Sequence, residues 1–234
     1  MSEEKHTHPY RRPKDAATLL VVDKSGVKPR VLMGQRHLAS AFMPGMYVFP
    51  GGRVDAGDNR LNVPDALDPA VENKLLTDMK GIATPRRAQG LALAAIRETA
   101  EETGLLIGSR DKGGWKTKSP SWSPFVEHGL TPSLSQLTFF LRAITPPGGS
   151  RRFDTRFFCT SAESIAYEIP NDNDELLNLH WLTFGQAMKL ELPRITRVAL
   201  ETLDAKLEQG RFPEPGDKIA YFFQRNRKFM RETL

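Results

Sequence analysis

Residues 97–105, R-E-T-A-E-E-T-G-L, constrain the chain most, because they read as the end of a helix that packs on one side and gathers charge on the other. At about 100° per residue, Glu98, Glu101 and Glu102 fall within roughly a third of the helix circumference. Ala92, Ala95, Ile96, Thr99, Ala100 and Thr103 form the opposing arc, small and mostly apolar. Like charges at i, i+3 and i, i+4 cost a helix roughly 0.2–0.5 kcal/mol per pair, and Arg97 relieves part of this through Glu101 at i+4. A hard divalent cation would relieve the rest. Thr84 is placed to cap this helix, Pro85 to open it and Gly104 to stop it.

The remaining pattern predicts strands interleaved with helices, hence an α/β domain. Residues 16–22 and 29–34 are β-rich runs split by Asp23-Lys24-Ser25-Gly26, a hairpin turn. A third strand at 47–49 ends on Pro50-Gly51-Gly52. Within 58–89, Asp68 as N-cap, Pro69 at the first helical position and Gly81 past the end predict an inserted helix. Residues 108–132 carry no assigned element, and strands follow at 136–144, 153–160 and 179–184, the first two joined by a breaker, Thr145-Pro146-Pro147-Gly148-Gly149-Ser150. The last third reads as helical at 186–191 and 196–209, with Gly210 as cap. Lys218, Arg225, Arg227, Lys228 and Arg231, with Tyr221, Phe222 and Phe223, read as an amphipathic helix docked with its basic side outward.

Length and composition fit this reading. The chain has 234 residues, 39% hydrophobic and 26% charged, enough for one domain with a substantial core. A single domain over 1–234 is expected, with 59–88 inserted and 193–234 as a C-terminal helical extension. No apolar run approaches 18 residues and the first fifteen are polar, so a cytoplasmic protein without membrane contact is expected. One cysteine, Cys159, excludes an internal disulfide and a cysteine-based zinc cluster, and the five histidines show no paired ligand spacing. The net charge of +5 favours anionic partners but fits an ordinary solvated surface equally well.

The order strand, Gly51-Gly52 turn, then glutamate helix resembles the Nudix hydrolase signature, a glycine-led loop followed by R-E-x-x-E-E-x-G. The match covers residues 49–58 and 97–105. Loop and helix are normally contiguous in that family, whereas about 31 extra residues separate them in this chain. The signature's first acidic position is therefore either Asp58, before the insertion, or lost to Gln89 after it. The split, together with Phe42-Met43-Pro44-Gly45-Met46-Tyr47-Val48-Phe49-Pro50-Gly51-Gly52 and Arg151-Arg152-Phe153-Asp154-Thr155-Arg156-Phe157-Phe158, resembles the coenzyme A diphosphatase-like branch. The resemblance implies an α/β/α sandwich around a mixed β-sheet, Mg²⁺ or Mn²⁺ as cofactor, and hydrolysis of a small-molecule diphosphate.

Carried over position by position, the resemblance implies metal binding by the Gly51 carbonyl, Glu98, Glu101 and Glu102. Glu98 is either a ligand or the base that deprotonates water, Glu102 is catalytic, and Arg97 orients the glutamates. Arg36, Arg53, Arg151, Arg152 and Arg156 are candidate substrate-binding groups through forked N–H donors. Arg151, Arg152 and Arg156 serve equally well in ion pairs with Asp154 or Glu163, and Phe153, Phe157 and Phe158 read as core. Asp172, Asp174 and Glu175 form an acidic loop that is either a turn or the source of a late metal ligand. Coenzyme A or acyl-coenzyme A compounds come first as substrates, and ADP-ribose or nucleotide sugars second. A non-catalytic ligand sensor and an RNA-binding protein are the rivals of another class, nucleic acid ranking last. A homodimer is left open.

Overall fold

Residues 16–22 are apolar almost without interruption, the pattern of a strand buried on both faces. In the computed structural model, which describes residues 11–40, 43–148, 151–170 and 175–234, they form the centre of strand β1 (Lys14–Asp23). Ala17, Leu19 and Val21 enter one core and Leu20 and Val22 the other, as the two-residue period of a strand requires. The Asp23 to Gly26 turn leads to β2 (Arg30–Arg36), antiparallel to β1. Two short strands follow, β3 (Tyr47–Val48) against β2 and β4 (Gly51–Arg53) against β1. Phe42, Gly149, Ser150, Asp172, Asp174 and the first ten residues lie outside the described part.

Helix α1 (Pro69–Leu76) and helix α2 (Pro85–Thr103) come next, then β5 (Leu105–Arg110), α3 (Ser123–Glu127), β6 (Leu130–Pro132), β7 (Thr138–Ile144), β8 (Phe153–Ser161), β9 (Ile165–Glu168) and β10 (Leu176–Thr183). The chain continues through α4 (Phe184–Ala187), α5 (Arg194–Leu207), β11 (Ala220–Arg225) and β12 (Lys228–Thr233). The main sheet runs β10-β2-β1-β8-β7-β11-β12, and β6-β5-β9 make a smaller one. The main sheet is mixed: β1 with β8 and β7 with β11 are parallel, the other pairs antiparallel. α2 and the insertion cover one face, and Ala199, Leu200 and Leu203 of α5 the other. This is an α/β/α arrangement, as expected.

The insertion is a packed layer. Leu67, Val71, Leu75 and Met79 share a core with Leu91 of α2 and Phe139 of β7. The Arg142 guanidinium donates to the Asp78 carbonyl at 3.1 Å, and Arg87 donates to the Lys80 carbonyl at 3.0 Å. Asp68 caps α1 and Thr84 caps α2, each followed by proline, and Gly104 stops α2 in the left-handed conformation. Lys74 of α1 also donates to the Pro215 and Asp217 carbonyls of the loop before β11.

Four expectations need correction. α1 ends at Leu76, before Gly81, because Thr77 turns extended and Asp78 takes a positive φ of 52°. Residues 108–132 are ordered around the fully buried Trp122 and Phe125, and β5 follows Gly104 directly. The first C-terminal helix is α4 at Phe184–Ala187 rather than 186–191, set by a capping box in which Thr183 and Gln186 bond reciprocally. The extension over 193–234 is helical only in α5. Its basic, aromatic end is a β-hairpin turning at Asn226 and Arg227, whose φ of 50° and 62° make the two-residue turn that matches strand twist. Tyr221 and Phe223 point inward and Phe222 and Gln224 to the other face, a two-residue period that overrides the helical one.

Candidate active site

β4 lies against β1 with Thr18 opposite Gly51 and Ala17 opposite Gly52, and α2 crosses above them. Gly51 has a φ of 155°, and a Cβ there would stand 2.5 Å from the Ala17 carbonyl oxygen, so only glycine fits. Its N–H donates to Glu102 Oε2 at 2.8 Å. A Cβ on Gly52 would stand 2.4 Å from the Glu98 carboxyl carbon, so the missing side chain is the space that the carboxylate occupies. Glycine turn and acidic helix, 46 positions apart between Gly52 and Glu98, thus meet in space.

Arg97 organises the cluster from inside. Its Nε and Nη2 donate to the two Asp58 carboxylate oxygens, both at 2.9 Å, in a forked pair. Nη1 donates to Glu98 at 2.9 Å and to Glu101 at 2.8 Å, and Nη2 also reaches the Arg53 carbonyl at 3.0 Å. Asp58 sits in a 3₁₀ turn (Asp58–Arg60) at the mouth of the insertion and accepts from the Asp55 N–H at 2.8 Å. Of the two positions left open, Asp58 is the one that meets Arg97. Gln89 borders a separate cavity with Val63, Thr84 and Arg86. α2 is not amphipathic here: the stretch 90–97 is buried, sheet on one side and insertion on the other.

Burial dominates the electrostatics. It pushes Glu102 up to about 8 and Glu98 up to about 7, the neighbouring carboxylates including Glu175 adding to both shifts. The Gly51 N–H and Arg36 pull Glu102 back in part, and Arg97 does the same for Glu98. Burial also works against the charge on Arg97, but the Asp58 fork and the charges of Glu98 and Glu101 outweigh it and hold the guanidinium protonated well above its ordinary range. Such a site favours a cation, because protons and divalent ions compete for the same carboxylates. The donors, carboxylate oxygens with no thiolate or imidazole, fit a hard cation of the Mg²⁺ or Mn²⁺ type. Among the described residues no three acidic, histidine or cysteine groups form a ready ligand cage, since Arg97 spans Glu98 and Glu101 and Gly51 holds Glu102.

The candidate arginines divide. Arg36, on β2, pairs with Glu175 at 3.3 Å and faces the field of Glu102. Arg53 is exposed beside an open groove that Lys14 and Asn59 also border. Arg151 is exposed. Arg156 is buried and takes the pairing role left open for it, with Asp154 and Asp15, each at 3.0 Å. Arg152 is buried too, and its guanidinium donates to the Thr145 and Arg11 carbonyls. These two are structural cations of the β1–β8 end, a correction to their assignment as phosphate ligands. Phe157 and Phe158 are core residues. The proximity of Glu175 to the cluster had only a weak signal in sequence, an acidic loop before a strand. The role of Gly52 was hidden behind that of Gly51.

No family model matches the chain. The chain is 26% identical over 209 residues to the acyl-coenzyme A diphosphatase NUDT19 of Gallus gallus, covering 68% of this chain and 55% of that protein. It is 28% identical over 158 residues to the putative nudix hydrolase 7 of Caenorhabditis elegans, covering 62% and 43%. The chain thus spans about half the length of these curated relatives. Among solved structures, a NUDIX hydrolase from Alicyclobacillus acidocaldarius superposes with a TM-score of 0.62 at 26% identity, over 86% of this chain and 97% of that one. Loop and helix joined in space across an insertion, relatives of this kind and a shared fold make the chain similar to Nudix hydrolases.

Proposed function

We propose that this chain is a divalent-metal-dependent hydrolase of the diphosphate bond in a nucleoside diphosphate derivative, with coenzyme A or acyl-coenzyme A compounds as first substrates and ADP-ribose or nucleotide sugars as second. The observation that carries the proposal is the seating of Glu98 and Glu102 on Gly52 and Gly51, with Arg97 anchored to Asp58 behind them. The substrate preference is supported by the name of the chicken relative, an acyl-coenzyme A diphosphatase.

Glu98, Glu101, Glu102 and the Gly51 carbonyl are the oxygens that would hold Mg²⁺ or Mn²⁺. When bound, such an ion neutralises charge developing on the phosphates and lowers the pKa of attacking water. The chain's own groups supply position and charge. Arg97 fixes the orientation of Glu98 and Glu101, and Asp58 fixes Arg97. Glu98 would act either as a further ligand or as the base that takes a proton from water. Arg36, paired with Glu175, and Arg53, paired with Asp55 at an exposed position, are the cations near the cluster that would exchange those carboxylates for a phosphate. Water adds across the P–O–P bridge, and two phosphorylated fragments leave.

Purified protein with Mg²⁺ or Mn²⁺ is expected to release phosphorylated products, identified by mass spectrometry, from at least one of coenzyme A, acyl-coenzyme A, ADP-ribose, NADH and dinucleoside polyphosphates. Glu102→Gln, nearly isosteric, should remove most turnover while the fold persists. Turnover near the wild-type rate would overturn the assignment. Binding without turnover across the panel would make the protein a sensor.

A further inference from the structure

β12 is the outermost strand of the main sheet, and among the described residues it pairs with β11 alone. Ile219 and Leu234 exchange both backbone hydrogen bonds just beyond it. Such bonded pairs alternate with unbonded ones along an antiparallel ladder. Lys228, Met230 and Glu232 therefore direct their N–H and C=O groups to β11, while Phe229, Arg231 and Thr233 direct theirs outward. An exposed row of this kind is a template for another strand.

The side chains select which strand. Two copies of β12 can pair antiparallel about a twofold axis at Phe229, Met230 or Arg231. An axis at Arg231 sets Arg231 against itself, and one at Phe229 sets Arg231 against Arg227 of the second copy, like charges in both cases. An axis at Met230 instead sets Lys228 opposite Glu232 of the second copy, twice, and Phe229 opposite Arg231 of the second copy, also twice. In that register the outward N–H and C=O groups of Phe229 and Arg231 meet one another as bonded pairs. We propose that the protein forms a twofold-symmetric dimer through β12, centred on Met230, which continues the nine-stranded sheet into a second copy.

Two features of the hairpin support this partner. Phe229 is 59% exposed although it is a large apolar side chain. Arg194 lies 4.7 Å from its ring centre, and Arg231 stands over Phe222 at 5.7 Å, so arginine on aromatic is already the contact type of this face. Glu232 meets Arg225 only loosely, at 3.7 Å between exposed groups, and Lys228 is exposed and in no ion pair among the described residues. The basic residues repel most foreign edges while the Met230 register satisfies them, which makes the edge selective for itself.

Sedimentation equilibrium of the full chain over a range of concentrations tests the proposal. The mass is expected to rise toward that of two chains. Lys228→Glu should weaken association about tenfold or more, because two attractive pairs become repulsive. The charge-swapped double variant Lys228→Glu with Glu232→Lys should restore it. Arg231→Pro removes an outward N–H, a substitution that edge strands tolerate, and should abolish association with an unchanged circular dichroism spectrum. If Arg231→Pro disturbs the fold, the charge-swap series carries the test alone. A monomer at every concentration, or a dimer indifferent to Lys228→Glu, would overturn the proposal.

Discussion

Removing the carboxylate of Asp58 tests how the split signature is rejoined. The side chains of Asp58 and Arg97 are 2% and 6% exposed, and two 2.9 Å hydrogen bonds join them. Breaking a buried pair by deleting one partner costs about 3–5 kcal/mol, because the other charge stays in a place that water reaches poorly. Arg97 keeps Glu98, Glu101 and the Arg53 carbonyl, so the lower end applies. Asp58→Ala should lower the unfolding free energy by about 3 kcal/mol, and Asp58→Asn, which retains an acceptor, by roughly half as much. Urea denaturation followed by circular dichroism measures this, the midpoint falling while the slope is unchanged. Gln89→Ala is the control and should stay within about 1 kcal/mol of wild type. Hydrolysis should drop in both Asp58 variants under conditions where they remain folded, since Glu98 and Glu101 hang on the same guanidinium. A loss below about 1 kcal/mol for Asp58→Ala, or an equal loss for Gln89→Ala, would refute the reasoning.

Gly52→Ala should displace the Glu98 carboxylate, which an added Cβ meets at 2.4 Å, but leave the backbone nearly undisturbed; more than tenfold lower turnover with a stability change under about 1 kcal/mol is expected, and unchanged kinetics would sink the placement of Glu98. The raised carboxyl groups set a pH dependence. Glu98 at about 7 and Glu102 at about 8, against a reference of 4.5, mean that the folded state binds more protons between these limits. Their contribution to metal-free stability is whole below about 4.5 and disappears as pH rises through 7 to 8. Mg²⁺ or Mn²⁺ replaces those protons, so the rise in melting temperature on adding metal should grow from about pH 5.5 to about pH 8.5; a rise that is flat or reversed would contradict the cluster as the binding site. Leu75→Ala, in the insertion and 1% exposed, should cost about 2–4 kcal/mol in chemical denaturation, whereas a loosely attached insertion would show almost nothing.

The sequence alone determined the elements whose signals are local. The caps at Asp68 and Thr84, the stop at Gly104, the β-rich run of β1 and the grouping of Glu98, Glu101 and Glu102 on one side of α2 follow from neighbours within a few positions, where helix and strand geometry leave little choice. The C-terminal hairpin escaped because aromatic and basic residues at 218–231 fit either period locally, and only the free edge of β7 offered backbone partners that settle the matter. Tertiary structure likewise decided the pairing of Arg97 with Asp58, the pairing of Arg156 with Asp154 and Asp15, and the seat of Glu98 on Gly52. Each of these is a contact between residues far apart in the chain. A buried charge takes whichever opposite charge the fold brings within about 3 Å, and that distance is set by how β1, β4 and α2 stack, which no spacing along the sequence encodes.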